Sequence, residues 1–142
     1  MPMSPLAPWM KWLLRAAGTY NLLAGIDMLC LYHETYKLLQ MEKPEVNLFI
    51  QLVGVLVALF GVGYWLVSLN PLENRNVLLL GLLSKLLGSI LGVYYVAVGK
   101  LPLYFLAILL VSDIMWLPPF WMIYRRLREQ RLAYQLLPRG AN

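Results

Sequence analysis

Three stretches of the sequence, 47–69, 76–99 and 102–125, are almost continuously apolar, and each has the roughly 20 residues a helix needs to cross a hydrocarbon core about 30 Å thick. A fourth stretch, 9–31, has the same length but carries Lys11, Arg15, Asn21 and Asp27 along it. Hydrocarbon offers no partner to backbone N–H and C=O groups, so segments of this kind must satisfy them internally, and runs of this length do so as helices. The connections are short. Asn70-Pro71 with the polar Glu73–Asn76 separates the second stretch from the third, and Gly99-Lys100-Leu101-Pro102 separates the third from the fourth. Neighbouring helices are therefore antiparallel. The expected fold is all-α, a four-helix transmembrane bundle forming one domain, with 126–142 as a basic interfacial tail. The longest connection, Tyr32–Val46, mixes His33, Glu34, Lys37, Glu42, Lys43 and Glu45 with Tyr36, Leu38 and Leu39, and is expected to lie along the interface, partly helical.

An even number of spans places both termini and the second connection on one side. That side collects Lys11, Arg15, Arg75, Arg125, Arg126, Arg128, Arg131 and Arg139, against Lys37, Lys43 and Lys100 opposite. By the positive-inside rule both termini are expected in the cytoplasm, and the protein in a bacterial cytoplasmic membrane. Trp9, Trp12, Trp65, Trp121 and Tyr124 would form one aromatic belt, and Tyr32, Tyr36, Tyr94, Tyr95 and Tyr104 the other. The start of the chain has no basic n-region and leads into a segment too polar for a signal peptide, so it is expected to be retained.

A charged fraction of 13% is about half the soluble norm of roughly 25%, so the net charge of +5 points to lipid headgroups, with no polar domain to carry nucleic acid. Cys30 is the sole cysteine, which excludes an intrachain disulfide or a CxxC redox pair. No nucleotide, protease, hydrolase or kinase motif occurs, and no metal-ligand set is written.

Two ionisable residues fall inside the apolar stretches, Lys85 in the third and Asp113 in the fourth. Counted from opposite surfaces at about 1.5 Å per residue, both arrive near mid-bilayer, where they can pair. A charge at that depth costs roughly 2.5–3.5 kcal/mol even on permissive scales. Two readings stand side by side: a proton-handling or ligand-orienting pair, and a structural ion pair that fixes helix register. Asn21 and Ser84 are candidates to join the pair by hydrogen bonds, with Trp116 as an aromatic lining. A quinone, a lipid or a pigment would suit that lining. Asp27, Gln51 and His33 form a secondary candidate polar patch toward the other side, and a lone histidine has no ligand set around it.

Lipid gives helices no hydrophobic reason to associate, so small residues that let backbones approach mark the contact faces. Gly18, Asn21 and Gly25 share one face; Gln51, Gly54, Ala58, Gly61 and Trp65 follow a heptad-like seam; Gly81, Lys85, Gly88 and Gly92 share a third. Pro118-Pro119 should loosen the last helix by removing the donors for the carbonyls of Ile114 and Met115.

The residues Gly61-Val-Gly-Tyr64-Trp65, Gly81-Leu-Leu-Ser-Lys85-Leu-Leu-Gly88 and Ser112-Asp113-Ile-Met-Trp116-Leu-Pro118-Pro119-Phe120 resemble a family of small uncharacterised bacterial four-helix membrane proteins, and more broadly the DoxX-like group. The resemblance runs from about Trp12 to Tyr124. It implies a four-helix bundle with Lys85, Asp113 and Trp116 in its motif, and no reaction. It also leads one to expect Asn before the acid, where Ser112 stands. Some members are called alkyl hydroperoxide reductases; that name requires a peroxidatic thiol, and Cys30 has no partner. The sequence thus points to a non-catalytic accessory or assembly subunit of a larger membrane complex, an electron-transfer or photosynthetic one being among the candidates, in contact with lipids and with other membrane proteins or copies of itself. The alternative is a small enzyme or transporter of a lipophilic ligand using Lys85 and Asp113.

Overall fold

The computed structural model describes residues 5–137, and among these it is helical with no strands. Helix α1 spans Pro8–Ile26 and passes through a π-helical turn, Asp27–Leu31, into α2, Tyr32–Leu38. Then follow α3 (Leu48–Leu69), α4 (Arg75–Ala97), α5 (Phe105–Ser112), a 3₁₀ turn (Ile114–Trp116) and α6 (Leu117–Gln135). Three helical stretches are long and apolar enough to cross a membrane: α3, α4, and α5 with α6 taken together. The protein is a helical membrane protein. The expected fourth crossing, α1, does not meet that measure, because Lys11, Arg15, Asn21 and its glycines dilute its apolar content.

Local chemistry sets the turns. Val98 ends α4, and Gly99 follows at φ +76°, a left-handed conformation that a Cβ would penalise. The N–H of Gly99 then reaches the carbonyl of Val96 (3.1 Å) and that of Lys100 the carbonyl of Tyr95 (2.9 Å), so two carbonyls orphaned at the helix end are satisfied. Between α3 and α4 the amide of Asn74 donates back to the carbonyls of Leu66 (3.2 Å) and Asn70 (3.1 Å), closing the end of α3. Across the opposite end the Tyr104 hydroxyl donates to the carbonyl of Leu39.

The interior is polarised. The end of the bundle near the α3–α4 turn holds a continuous apolar core of Leu6, Met10, Leu14, Ala17, Tyr64, Val67, Leu78, Leu82, Trp116, Phe120, Ile123 and Leu127. Tyr64 meets Phe120 edge to face, with ring centroids 4.9 Å apart. Toward the other end the buried positions are mostly small, Gly25, Gly54, Ser89 and Gly92, with Leu109 the one large apolar side chain. Along their whole contact, from the core end to the small-residue end, α1 and α3 hold together by backbone proximity. A Cβ on Gly18 would fall 2.7 Å from the Gly61 carbonyl and one on Gly61 2.6 Å from the Gly18 carbonyl; Gly25 and Gly54 form a second reciprocal pair, at 2.6 and 2.9 Å. Such approach is available only to glycine and is how helices associate without a hydrophobic drive. Gly54, Ala58 and Gly61 thus take the packing positions read from the seam, with Ala58 against Gly25. Gly81 lies under the Tyr64 ring and Gly92 under Leu109. Gly88 departs from the expectation: it is exposed, and a Cβ there would meet only Asp113 Oδ2, at 3.9 Å.

The break in the last span also departs from expectation, by about a turn. Pro118 and Pro119 fall in the first turn of α6, where helix N–H groups have no intrahelical acceptor and their absence costs nothing. Residues 114–116 tighten into a 3₁₀ turn, and the N–H of Leu117 satisfies Ile114. The carbonyl this releases is that of Ser112. Past Tyr124, α6 continues unbroken to Gln135, and Arg126 Nε donates to the carbonyl of Pro5 (2.9 Å). Arg139 and the last residues of the expected basic tail lie outside the described residues.

Candidate functional site

Lys85 is ten residues beyond the start of α4, about 15 Å along the helix axis. Its side chain is 6% exposed, and Nζ has three oxygens around it: the Ser112 carbonyl at 2.8 Å, Asp113 Oδ1 at 3.3 Å and Asn21 Oδ1 at 3.5 Å. Each has a structural cause. In an uninterrupted helix the Ser112 carbonyl would accept the N–H of Trp116, but that N–H turns to the carbonyl of Asp113 (3.2 Å), leaving Ser112 to the ammonium. The ammonium therefore caps the C-terminal end of α5, where the helix dipole is negative. Trp116 contributes similarly, its Nε1–H donating to the carbonyl of Val111 (3.0 Å). Asn21 is 6% exposed and uses its other end to donate to the carbonyl of Val57 (3.3 Å). The chain Val57–Asn21–Lys85–Ser112/Asp113 ties α3, α1, α4 and α5 together at one level.

Around this layer Trp116 faces Tyr20 and Phe120, each with centroids 6.2 Å from it. Tyr64 is 1% exposed and lies against Gly81, one helical turn from Lys85. Asp113 is the less enclosed partner. Its side chain keeps 26% exposure, and among the described residues it accepts, besides Lys85, only the Ser112 hydroxyl, on Oδ2 at 3.3 Å.

The structure thus brings Lys85, Asp113, Asn21 and Trp116 together and leaves Ser84 out: Ser84 is exposed, turned about 100° around α4 from Lys85. The serine that serves Lys85 is Ser112, through its carbonyl, and Ser89 donates its hydroxyl to the Lys85 carbonyl (2.6 Å). Sequence spacing did not single out Tyr20, Tyr64 or Ser89. Tyr64, three residues past Gly61, sits beside the seam on α3, and Ser89 follows Lys85 at i+4; both periodicities were there to be read. Asp27, Gln51 and His33 each take a different hydrogen-bond partner. Asp27 accepts from Thr35 (2.7 Å), Gln51 donates to the carbonyl of Leu29 (3.4 Å), and His33 meets Lys43. Among the described residues no group of His, Cys, Asp and Glu side chains could hold a metal ion. A groove of about 330 Å³ lies elsewhere, along the outer face of α6, lined by Trp121, Tyr124, Arg125, Arg128, Glu129 and Leu132. That groove is open surface on one helix face, whereas the charge held inside the protein is gathered around Lys85.

The fold and this layer define a helical membrane protein with an internal ion pair. No protein-family model, curated protein or solved structure matches the chain.

Proposed function

We propose that the protein is a non-catalytic integral membrane protein, a small accessory or assembly subunit of a larger membrane complex. α1 is the fourth span, both termini are cytoplasmic, and the membrane is a bacterial inner membrane; the DoxX-like resemblance belongs to the same proposal. The observation that carries it is the surface beside Asp113. Lys85 is saturated within the chain, which argues against a group poised for chemistry, whereas Asp113 keeps an open edge next to the exposed Gly88. A part-exposed carboxylate facing hydrocarbon is costly, and a helix of another membrane protein supplying a donor at that notch would cover it. Exposed Leu87 and Leu91 flank the same stretch of α4.

A second reading rests on the same opening: a lipophilic small molecule such as a quinone or pigment presents its polar head to Asp113, making the protein a small ligand-binding enzyme or transporter. Extraction in mild detergent, with mass spectrometry and absorption spectroscopy of what co-purifies, separates the two. Stoichiometric partner proteins support the subunit. A monodisperse chain carrying no other protein contradicts it, and a retained chromophore or quinone moves the assignment to the second reading.

A further inference from the structure

Arg15 is held in a way that charge asymmetry alone does not require. Its guanidinium carbon lies 5.7 Å from the ring centroid of Trp12 and 5.5 Å from that of Trp65, so two indoles from different helices stack on it. Its Nε donates to Ser68 Oγ at 3.4 Å. Ser68 is 2% exposed, and its hydroxyl is fixed in turn by donation to the carbonyl of Trp65 (2.7 Å). Trp65 itself lies over Gly18, where a Cβ would come within 2.5 Å of its ring. The sandwich is therefore built into the α1–α3 contact. Neither Nη group of Arg15 is hydrogen-bonded to a described residue, and among the described residues the ion pairs are Lys85–Asp113 and Arg125–Glu129, so no carboxylate neutralises it. Lys11 stands one turn earlier on the same side of α1, and Trp9 and Trp12 are exposed beside it.

A fixed guanidinium with two free donor groups, a second cation one turn away and exposed indoles around it matches the phosphate of a lipid headgroup, whose oxygens take paired N–H donors and whose glycerol and first methylenes lie against aromatic rings. We propose that Arg15, with Lys11, forms a specific binding site for the phosphate of an anionic phospholipid in the leaflet at the α3–α4 turn end. It rests on α1 lying in the membrane, which cysteine accessibility at positions 9–26 tests separately.

The test is native mass spectrometry of the purified full chain in maltoside micelles, titrated with phosphatidylglycerol, with phosphatidylcholine and inorganic phosphate as separate arms. The first phosphatidylglycerol should bind the wild type in preference to phosphatidylcholine, resist millimolar inorganic phosphate, and weaken about tenfold in Arg15→Gln, the scale of one lost charge-assisted bidentate contact. Arg15→Lys, which keeps the charge but not the planar fork, should lose several-fold, and Arg128→Gln on the exposed face of α6 should change little. Equal loss in Arg128→Gln and Arg15→Gln would reduce the site to a diffuse basic surface and overturn the proposal. So would unaltered affinity in Arg15→Gln, or displacement of the lipid by inorganic phosphate. Should Arg15→Gln not fold, Arg15→Lys and Ser68→Ala carry the same comparison.

Discussion

Lys85 is a buried cation whose oxygens all come from its own chain, and that determines what its removal does. Lys85→Met leaves the Ser112 carbonyl and the Asp113 carboxylate without their shared donor, and breaking one side of a buried pair costs about 3–5 kcal/mol. A loss of that size, measured as unfolding by SDS titration from mixed micelles, is the expected outcome. Trp116→Phe keeps the ring packing but deletes the donor to Val111, with an expected loss of about 1–2 kcal/mol in the same assay. The ionisable pair was legible in the sequence because depth along a span follows from counting residues, and Asn21 because it falls between Gly18 and Gly25 on one face. Ser84 was misread for a geometric reason: it is adjacent to Lys85, and neighbours on a helix point about 100° apart. Ser112 was invisible in the role it plays, since a backbone carbonyl becomes an acceptor only where the helix breaks.

The α1–α3 pair and the interrupted last span are the two elements whose behaviour follows from close backbone geometry. The reciprocal contacts of Gly18 with Gly61 and Gly25 with Gly54 leave no room for a side chain. Gly61→Val should therefore destabilise by about 1–3 kcal/mol, the usual overpacking cost, while Gly88→Ala, which meets only Asp113 Oδ2 at 3.9 Å, should stay within about 0.5 kcal/mol. Thermal denaturation of the two variants in one detergent distinguishes them. Small-residue spacing found the α3 seam because the period alone selects a face; it put Gly88 on the inner face of α4 because Gly81, Lys85, Gly88 and Gly92 span an arc wider than the contact. The proline pair announced an interruption, but where it falls depends on which turn yields, and the 3₁₀ turn at Ile114–Trp116 yields ahead of the prolines.

Across the whole molecule the packing is uneven, with the continuous core at the α3–α4 turn end, the Lys85 layer in the middle, and small residues beyond it. Hydrogen exchange in micelles should accordingly protect amides in 61–82 and 116–127 longer than those in 27–38 and 93–104. The all-helical architecture and three of the spans could be read from apolar length, because lipid leaves few alternatives to a helix. The polarity of the core could not, since it depends on how far apart the helices stand and not on any one segment. The central claim is that the Lys85–Asp113 layer holds this bundle together rather than performing chemistry, and a double-mutant cycle on global unfolding tests it most directly. The account predicts that Lys85→Met and Asp113→Leu are each strongly destabilising, and that the double variant, freed of an unpaired buried charge, recovers a large part of the loss. Single variants as stable as the wild type would contradict it.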